Sequence, residues 1–582
     1  MERIAANKWL FGLVKPIPDQ SRAAIDDVIE GEAKGIARWR LIAVAVLGVA
    51  LGIYHLDAGF FGAPEALLFR STHLSVILVI AYLTLPCRKT PAVTPFGRRA
   101  TVAYDWTCLL TAVVLGFVIY AQYPDIAERV GWPNLTDQIV FPVLAFLILE
   151  GVRRTLGWTL TFVTGFFILY CYLGNHFPWL FEHRGFSHHR VTGVLYVEST
   201  GVYSIPIAVT ASYVMLFLIF AALLLRSGAG KFFTDVAFGV AGRYSGGPAK
   251  AAVWASCLMG SLSGSPVANV VSTGAITIPL MKSVGYRPSF AAAVEAVAST
   301  GGAFMPPLMG AAAFIMAEYT RTDYSTIILY ALWPALLYYI CCTLIVHFEA
   351  QRAGLAGRPA DTLPNVRQCL MRQGHLMLPI VVLIWYLMNG YTPAFACSYA
   401  IMAMVVLVML RPETRMNLRD LLASLEVAAT IAVPTVLACA AAGLIMGAIT
   451  LTGLGVKLTS FITLVAGDSL LAGLLFTMVT ALVMGMGMTT TSVYVIVAIL
   501  CVPALTKLGA DLISAHFFVL YFGMLSNITP PVALAAYAGA SIAGANPWRT
   551  GIEAFRIGLP AFLLPYAFVY VPQLLLRGSA LS

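Results

Sequence analysis

The sequence predicts an all-α polytopic membrane protein with inverted repeats, two re-entrant helical hairpins and discontinuous helices. Three observations carry that prediction. The 582 residues are 59% hydrophobic and only 11% charged, with a mean hydropathy of +0.84. Apolar runs of roughly 18–25 residues, the length a bilayer core demands, recur along the chain. Finally, one pattern of polar helix breaks occurs twice. Ser263-Gly264-Ser265 precedes Met305-Pro306-Pro307, and Gly487-Met488-Thr489 precedes Thr529-Pro530-Pro531, with Ser265 to Pro306 and Thr489 to Pro530 both 41 residues and the copies 224 residues apart. A third anchor, Pro334-Ala335-Leu336-Leu337 against Pro560-Ala561-Phe562-Leu563, is shifted by two more residues. Breaks inside apolar segments are tolerated only where the freed backbone is buried in protein or lines a polar cavity. Corresponding breaks in two halves point to a solute-binding site.

The first forty residues are polar and mixed in charge, without an apolar core or small-residue cleavage site, so no cleaved signal peptide is expected. Spans at about 41–60, 67–86, 105–122 and 138–151 follow. Their loops alternate between cationic (Arg88, Lys89, Arg98, Arg99; then Arg153, Arg154) and non-cationic (His55 to Glu65; Asp125, Glu128). The positive-inside rule then places the N-terminus in the cytoplasm and accounts for the net charge of +9 without nucleic acid. The expected organisation is a cytoplasmic segment 1–40, a four-helix module 41–155, a first repeat 156–348, connecting spans 349–415 and a second repeat 416–582.

After spans at about 157–176 and 203–225, the apolar stretch 250–282 has cationic residues on both flanks (Arg243, Lys250; Lys282, Arg287). A simple span exchanges flank types, so this one reads as a re-entrant hairpin with Gly and Ser at its tip. The segment 288–318 reads as a helix broken at Ser299-Thr300-Gly301-Gly302 before Pro306-Pro307, because a double proline cannot sit in an unbroken helix. The second copy predicts a hairpin near 489–507 and a helix of about 514–541 interrupted at Ser526 to Pro531. Amphipathic stretches near 231–243 and 416–426 are expected to lie on the membrane surface as arms.

The run Gly260-Ser261-Leu262-Ser263-Gly264-Ser265, with Ala268-Asn269-Val270-Val271, Ser299-Thr300-Gly301-Gly302, Met305-Pro306-Pro307-Leu308-Met309-Gly310 and Gly246-Gly247-Pro248-Ala249-Lys250, resembles the TRAP transporters. More narrowly it resembles their TAXI-associated branch, in which small and large membrane subunits are fused. The resemblance covers nearly the whole chain, with residues 1 to about 155 matching a small subunit. It implies an elevator mechanism in the cytoplasmic (inner) membrane and import of a small organic acid. It also implies Na⁺ or proton coupling and an extracytoplasmic solute-binding protein of the TAXI type.

The residues give that chemistry a physical basis. A dehydrated Na⁺ takes several neutral oxygens, which unwound carbonyls and Ser, Thr and Asn side chains supply. The first copy offers Ser263, Ser265, Asn269, Ser299, Thr300 and the backbone at Gly302; the second offers Thr489, Thr490, Ser492, Ser526, Asn527 and Thr529. Half-helix N-termini suit a substrate carboxylate, and neither tip carries Arg or Lys. Small hydroxyl residues also simply let helices pack closely; their duplication at a fixed distance from duplicated prolines favours binding. Glu295, four residues before Ser299, is a proton-relay or ion-site candidate, against the alternative of a buried glutamate bonded to a neighbouring helix.

His73 and His516 read as hydrogen-bonded packing residues, Glu150 with Arg153 and Arg154 as an interfacial pair, and Trp132, Trp158, Trp179 and Trp548 as interface residues. His183, His188 and His189 lack a recognised metal pattern and read as loop residues, and the ten cysteines as apolar packing. No cofactor is expected, and no catalytic triad or phosphate loop argues for an enzyme. Two other readings are an organic-anion carrier that needs no binding protein, and a haem-binding redox subunit, which would require facing histidines within spans.

Overall fold

A computed structural model describes residues 38–577 apart from 89–94, 130 and 179–180. Most of the expected segment 1–40 therefore lies outside the described residues, as do Lys89 and Trp179. Among the described residues ten helices are long and apolar enough to cross a bilayer, and the protein is a multi-pass membrane protein.

Four long helices come first: α1 (Arg38–Phe61), α2 (Ala66–Thr84), α3 (Pro95–Glu128) and α4 (Leu135–Leu156). Asn134 and Asp137 form a capping box that starts α4. At its other end Glu150 holds Arg153 at 2.7 Å and Arg154 at 2.8 Å, and Arg154 reaches Asp105 of α3 at 2.8 Å. The expected Glu150–arginine pairing is thus a four-residue cluster joining two helices. Next come α5 (Trp158–Leu173), the short α6 (His188–Thr192) and α7 (Ile205–Arg226). Between α5 and α7, His183 bonds Tyr170 O, and His188, the first residue of α6, bridges Tyr172 and Gln138 O. No cluster of three or more metal-ligating side chains occurs among the described residues.

From α7 onward the elements repeat. The first series is α7, α8 (Ala229–Ala241), α9 (Gly247–Ser263), α10 (Pro266–Ser283), α11 (Pro288–Gly302), α12 (Ala311–Thr320) and α13 (Tyr324–Arg352). Two connecting helices follow, α14 (Val366–Met388) and α15 (Pro393–Met409). The second series is α16 (Leu418–Thr452), α17 (Leu454–Ala466), α18 (Leu470–Met484), α19 (Thr490–Lys507), α20 (Leu512–Leu525), α21 (Leu534–Ala543) and α22 (Pro547–Tyr570). Both α10 and α19 have 18 residues and both α12 and α21 have 10. At 1.5 Å per residue a ten-residue helix covers about 15 Å, half of a bilayer core of about 30 Å. These are half-helices by length, and each follows a break in the chain.

Three expectations need correction. The second hairpin is α18–α19, so 489–507 is only its second arm; Leu470 to Met484 is equally apolar and reads as one more span when taken alone. The counterpart of α8 in the second series is α17, not 416–426. Residues 418–426 open the 35-residue α16, whose capping box of Asn417 and Asp420 begins a helix that continues without interruption. The two helices correspond: α8 and α17 are both 13 residues, each entered through a left-handed glycine, Gly228 (φ 96°) or Gly453 (φ 67°). A Cβ at either glycine would meet nothing within 4 Å, so backbone conformation alone selects glycine there. Finally, Ser299 to Gly302 still belong to α11; the first break runs from Ala303 to Gly310.

Two helices organise the packing. The long α16 runs against α1, α2, α4, α5 and α7. Small residues permit that approach: a Cβ at Gly48 would sit 3.0 Å from Glu426 Cα, and one at Gly151 3.1 Å from Leu437. The other centre is α11, buried at every position from Ser289 to Gly302 and surrounded by α9, α10, α21 and α22. The repeats exchange their half-helices. α12 packs on α19 and α20 of the second repeat, while α21 packs on α10 and α11 of the first. Such reciprocity is what a two-fold relation between repeats produces.

Candidate functional site at the paired helix breaks

The first hairpin turns at Gly264, whose φ of 62° suits glycine and whose Cβ would fall 2.7 Å from Met309 O and 2.8 Å from Gly310 Cα. The tip is therefore pressed against the break that follows α11. Ser265 caps α10, its hydroxyl accepting from Ala268 N, and Pro266 occupies the first helical position, where no backbone donor is missed. Lower down, α9 and α11 cross in backbone contact: a Cβ on Gly302 would lie 2.4 Å from Gly260 Cα.

That close crossing brings a polar cluster together. Asn269 of α10 donates through Nδ2 to Ser256 O of α9 (2.9 Å) and to Ser299 Oγ of α11 (3.1 Å). The carbonyl acceptor fixes the amide orientation, leaving Oδ1, which is buried and has no hydrogen-bond partner. Ser263 Oγ is buried and unpartnered as well. Glu295 is fully buried beside them. Its carboxylate receives Ser256 Oγ at 2.5 Å, Thr277 Oγ1 at 2.5 Å and Ser299 Oγ at 3.1 Å, and also contacts the Thr273 hydroxyl. Hydroxyls from three helices thus surround one carboxylate. Thr300 turns away and bonds Ala296 O within its own helix.

In the second repeat Thr489 caps α19, accepting from Ser492 N, with its hydroxyl 2.9 Å from Ser492 Oγ. Asn527 Nδ2 reaches Thr490 Oγ1 (3.3 Å) and Met524 O (3.1 Å), joining the break to the hairpin. Ser526 and Thr529 bond back to Gly523 O and Leu525 O. Gly485 at the end of α18 meets Ser526: a Cβ there would be 2.3 Å from the serine Cβ. Thr489, Thr490, Ser492, Ser526 and Asn527 therefore converge, with Thr529 at the edge. His516 is a hydrogen-bonded packing residue, 2.8 Å from the Tyr494 hydroxyl.

Both Pro306–Pro307 and Pro530–Pro531 lie at the centre of their breaks, each joined by a cis peptide bond. Ala303 O accepts from Gly310 N across the first break (2.9 Å). Tyr324 donates to the carbonyls of Pro307 (3.1 Å) or Leu308 (2.5 Å), and Tyr537 to Pro531 O (2.5 Å). These tyrosines satisfy backbone that the prolines free, and sequence reasoning did not single them out. It also missed Ser256, Thr273 and Thr277. One signal was available: Asn269, Thr273 and Thr277 recur every four residues, as do Glu295 and Ser299, which places each set on one helix face.

Paired hairpins, paired broken helices and buried uncharged oxygens define a membrane carrier built from two repeats. Residues 143–581 match the model of the tripartite ATP-independent periplasmic transporter family, DctM component, and the chain belongs to that family. The chain is 26% identical over 356 residues to the C4-dicarboxylate TRAP transporter large permease protein DctM of Pseudomonas aeruginosa, covering 59% of this chain and 81% of that one. It is 25% identical over 358 residues to the 2,3-diketo-L-gulonate TRAP transporter large permease protein YiaN of Escherichia coli, covering 60% and 81%. A shorter similarity, 26% over 198 residues covering 33% and 45%, links it to the ectoine/5-hydroxyectoine TRAP transporter large permease protein UehC of Ruegeria pomeroyi. The family is one of transport components, not of enzymes.

Proposed function

We propose that this protein imports a small organic acid across the cytoplasmic membrane by an elevator movement driven by an ion gradient. The cargo is delivered by an extracytoplasmic binding protein of the TAXI type. The observation that carries the reading is the pair of buried, unpartnered oxygens, Asn269 Oδ1 and Ser263 Oγ, at a duplicated helix break. Buried neutral oxygens without donors, beside the polar cluster around Glu295, suit a dehydrated cation. In this reading Na⁺ binds at each break, with Ser263, Asn269 and the backbone near Gly302 in the first and Thr490, Ser526, Asn527 and Thr529 in the second. The half-helix N-termini capped by Ser265 and Thr489 receive the substrate carboxylate. Relatives named for C4-dicarboxylate and 2,3-diketo-L-gulonate transport support an organic acid as cargo.

The family match begins at residue 143. In the proposed organisation the preceding helices act as a fused small subunit, with the N-terminus cytoplasmic. α1 to α5, α8, α16 and α17 form the static scaffold, and the two hairpins with their broken helices form the moving unit.

Uptake into proteoliposomes tests the proposal. A panel of C4-dicarboxylates and other small organic acids is offered with and without the binding protein, under an inward Na⁺ or proton gradient. Uptake requiring both Na⁺ and the binding protein is expected. Uptake without the binding protein would establish the independent-carrier reading. Full uptake under a proton gradient in Na⁺-free buffer would transfer coupling to Glu295, a buried carboxylate bonded to hydroxyls alone among the described residues. For the movement, a cysteine at Ser265 should change its aqueous accessibility between sides while one at Leu147 does not. Undiminished transport with α9 fully cross-linked to the N-terminal helices would remove the elevator.

A further inference from the structure

His73 is not the hydrogen-bonded packing residue its sequence context predicts. Its ring is fully buried, and neither of its nitrogens has a hydrogen-bond partner. Beside it stands His55 of α1, also buried, with ring centroids 4.9 Å apart and planes at 65°. His55 Nδ1 lies 2.8 Å from Leu51 O. A carbonyl can only accept, so Nδ1 carries the proton and Nε2 keeps its lone pair, buried and without a hydrogen-bond partner. Backbone anchoring of one imidazole nitrogen is the support that metal-ligating histidines commonly have.

His55 lines a cavity of about 400 Å³ where α1 and α2 meet α7 and α15. Its walls include Phe61, Gly62, Phe69, Ser212, Leu216 and Phe395. The pair sits six residues from the end of α1 and seven into α2, about 10 Å below the helix ends. The cavity has room for several waters at about 30 Å³ each. With metal–nitrogen bonds of about 2 Å, two imidazoles on one tetrahedral ion place their centroids roughly 5 Å apart. Axial ligands on opposite faces of a haem would stand more than about 6 Å apart by the same arithmetic, so this pair does not fit around a macrocycle. Carboxylate or thiol ligands do not complete a protein-only site, because no cluster of three metal-ligating side chains occurs among the described residues.

We propose that His55 and His73 form a binding site for a d-block cation that favours imidazole, of the Zn²⁺ or Cu²⁺ type. Two protein nitrogens bind the ion; His55 alone of the pair borders the cavity, and water from that side completes the shell. The site belongs to the N-terminal helices, apart from the paired breaks, and stands whether or not the transport reading holds.

The purified full-length protein is titrated with Cu²⁺ and followed by electron paramagnetic resonance, and with Zn²⁺ by calorimetry. The expected result is one saturable equivalent with hyperfine coupling to two nitrogens. His55→Gln and His73→Gln, each checked for folding by its metal-free melting temperature, should weaken binding about tenfold or more. A His188→Gln/His189→Gln double variant should leave that equivalent unchanged. Absence of a saturable equivalent overturns the site. Full retention of binding in either folded single variant overturns it equally.

Discussion

The two repeats share a backbone and differ in chemistry. A shift of 224 residues carries α10 onto α19, the start of α11 onto that of α20, and Pro306 onto Pro530. The same shift carries Glu295 onto Val519, Asn269 onto Val493, Thr273 onto Val497, Thr277 onto Cys501 and Ser299 onto Gly523. The first repeat thus fastens its hairpin to its broken helix with a carboxylate and four hydroxyls, while the second keeps a hydroxyl only at Thr480, the counterpart of Ser256, and that one bonds Phe476 O within its own helix. In the second repeat the polar contacts move to the tip, where Asn527 reaches Thr490. Even the closest crossing is exchanged, glycine against glycine in the first repeat and glycine against serine in the second. The common backbone is what an open break requires; the unequal linings let the two halves do unequal work.

The largest expected effect tests what is common. Replacing Pro530 and Pro531 with alanine restores a donor and lets the helix close. The variant should insert and fold but give no measurable uptake, and so should the Pro306/Pro307 pair. Wild-type uptake in one pair alone would break the equivalence of the repeats.

The next effect tests what differs. Glu295→Ala removes the acceptor for several buried hydroxyls and should cost about 3 kcal/mol in thermal or denaturant unfolding. Glu295→Gln, which keeps a carbonyl acceptor, should cost clearly less. Val519→Glu buries a carboxylate where the matching positions Val493, Val497 and Gly523 supply no hydroxyl, and should destabilise by at least about 3 kcal/mol. Equal tolerance of glutamate at 295 and 519 would show that the hydroxyl cage is incidental.

Smaller effects are expected at the crossings. Gly302→Ala and Gly485→Ala each overpack a backbone contact and should cost about 1–3 kcal/mol. Adding Ser526→Gly to Gly485→Ala should restore most of the loss; adding it to Gly302→Ala should not. Least of all, Tyr324→Phe removes one hydroxyl from the Pro307–Leu308 carbonyls and should cost about 1 kcal/mol in the same unfolding assay.

Much of this was legible in the sequence because it rests on residues with few uses. A double proline within an apolar run, repeated at a fixed distance, marks a break before any coordinates exist. The spans before residue 226 follow from length and charge. The second hairpin was less legible: its first arm, Leu470–Met484, is unbroken and apolar, and a helix that turns back looks like one that crosses. The counterpart of α8 was misplaced because amphipathicity at 416–426 also describes the first turns of a long buried helix. The Glu295 cage stayed incomplete since Ser256 lies 39 residues away on another helix, and only tertiary packing joins them. His73 went astray for a similar reason, as its neighbour His55 sits on the preceding helix.

The central claim is that the paired breaks bind the coupling cation, and it can be measured without knowing the substrate. The melting temperature of the purified protein is followed against NaCl, with choline chloride holding ionic strength constant. A ligand that binds only the folded state stabilises it by RT ln(1 + [L]/Kd), so specific binding raises the melting temperature with Na⁺ concentration. The account predicts a saturable, Na⁺-specific rise in the wild type that falls in both Asn269→Ala and Asn527→Ala. Identical melting in Na⁺ and choline at every concentration would contradict it.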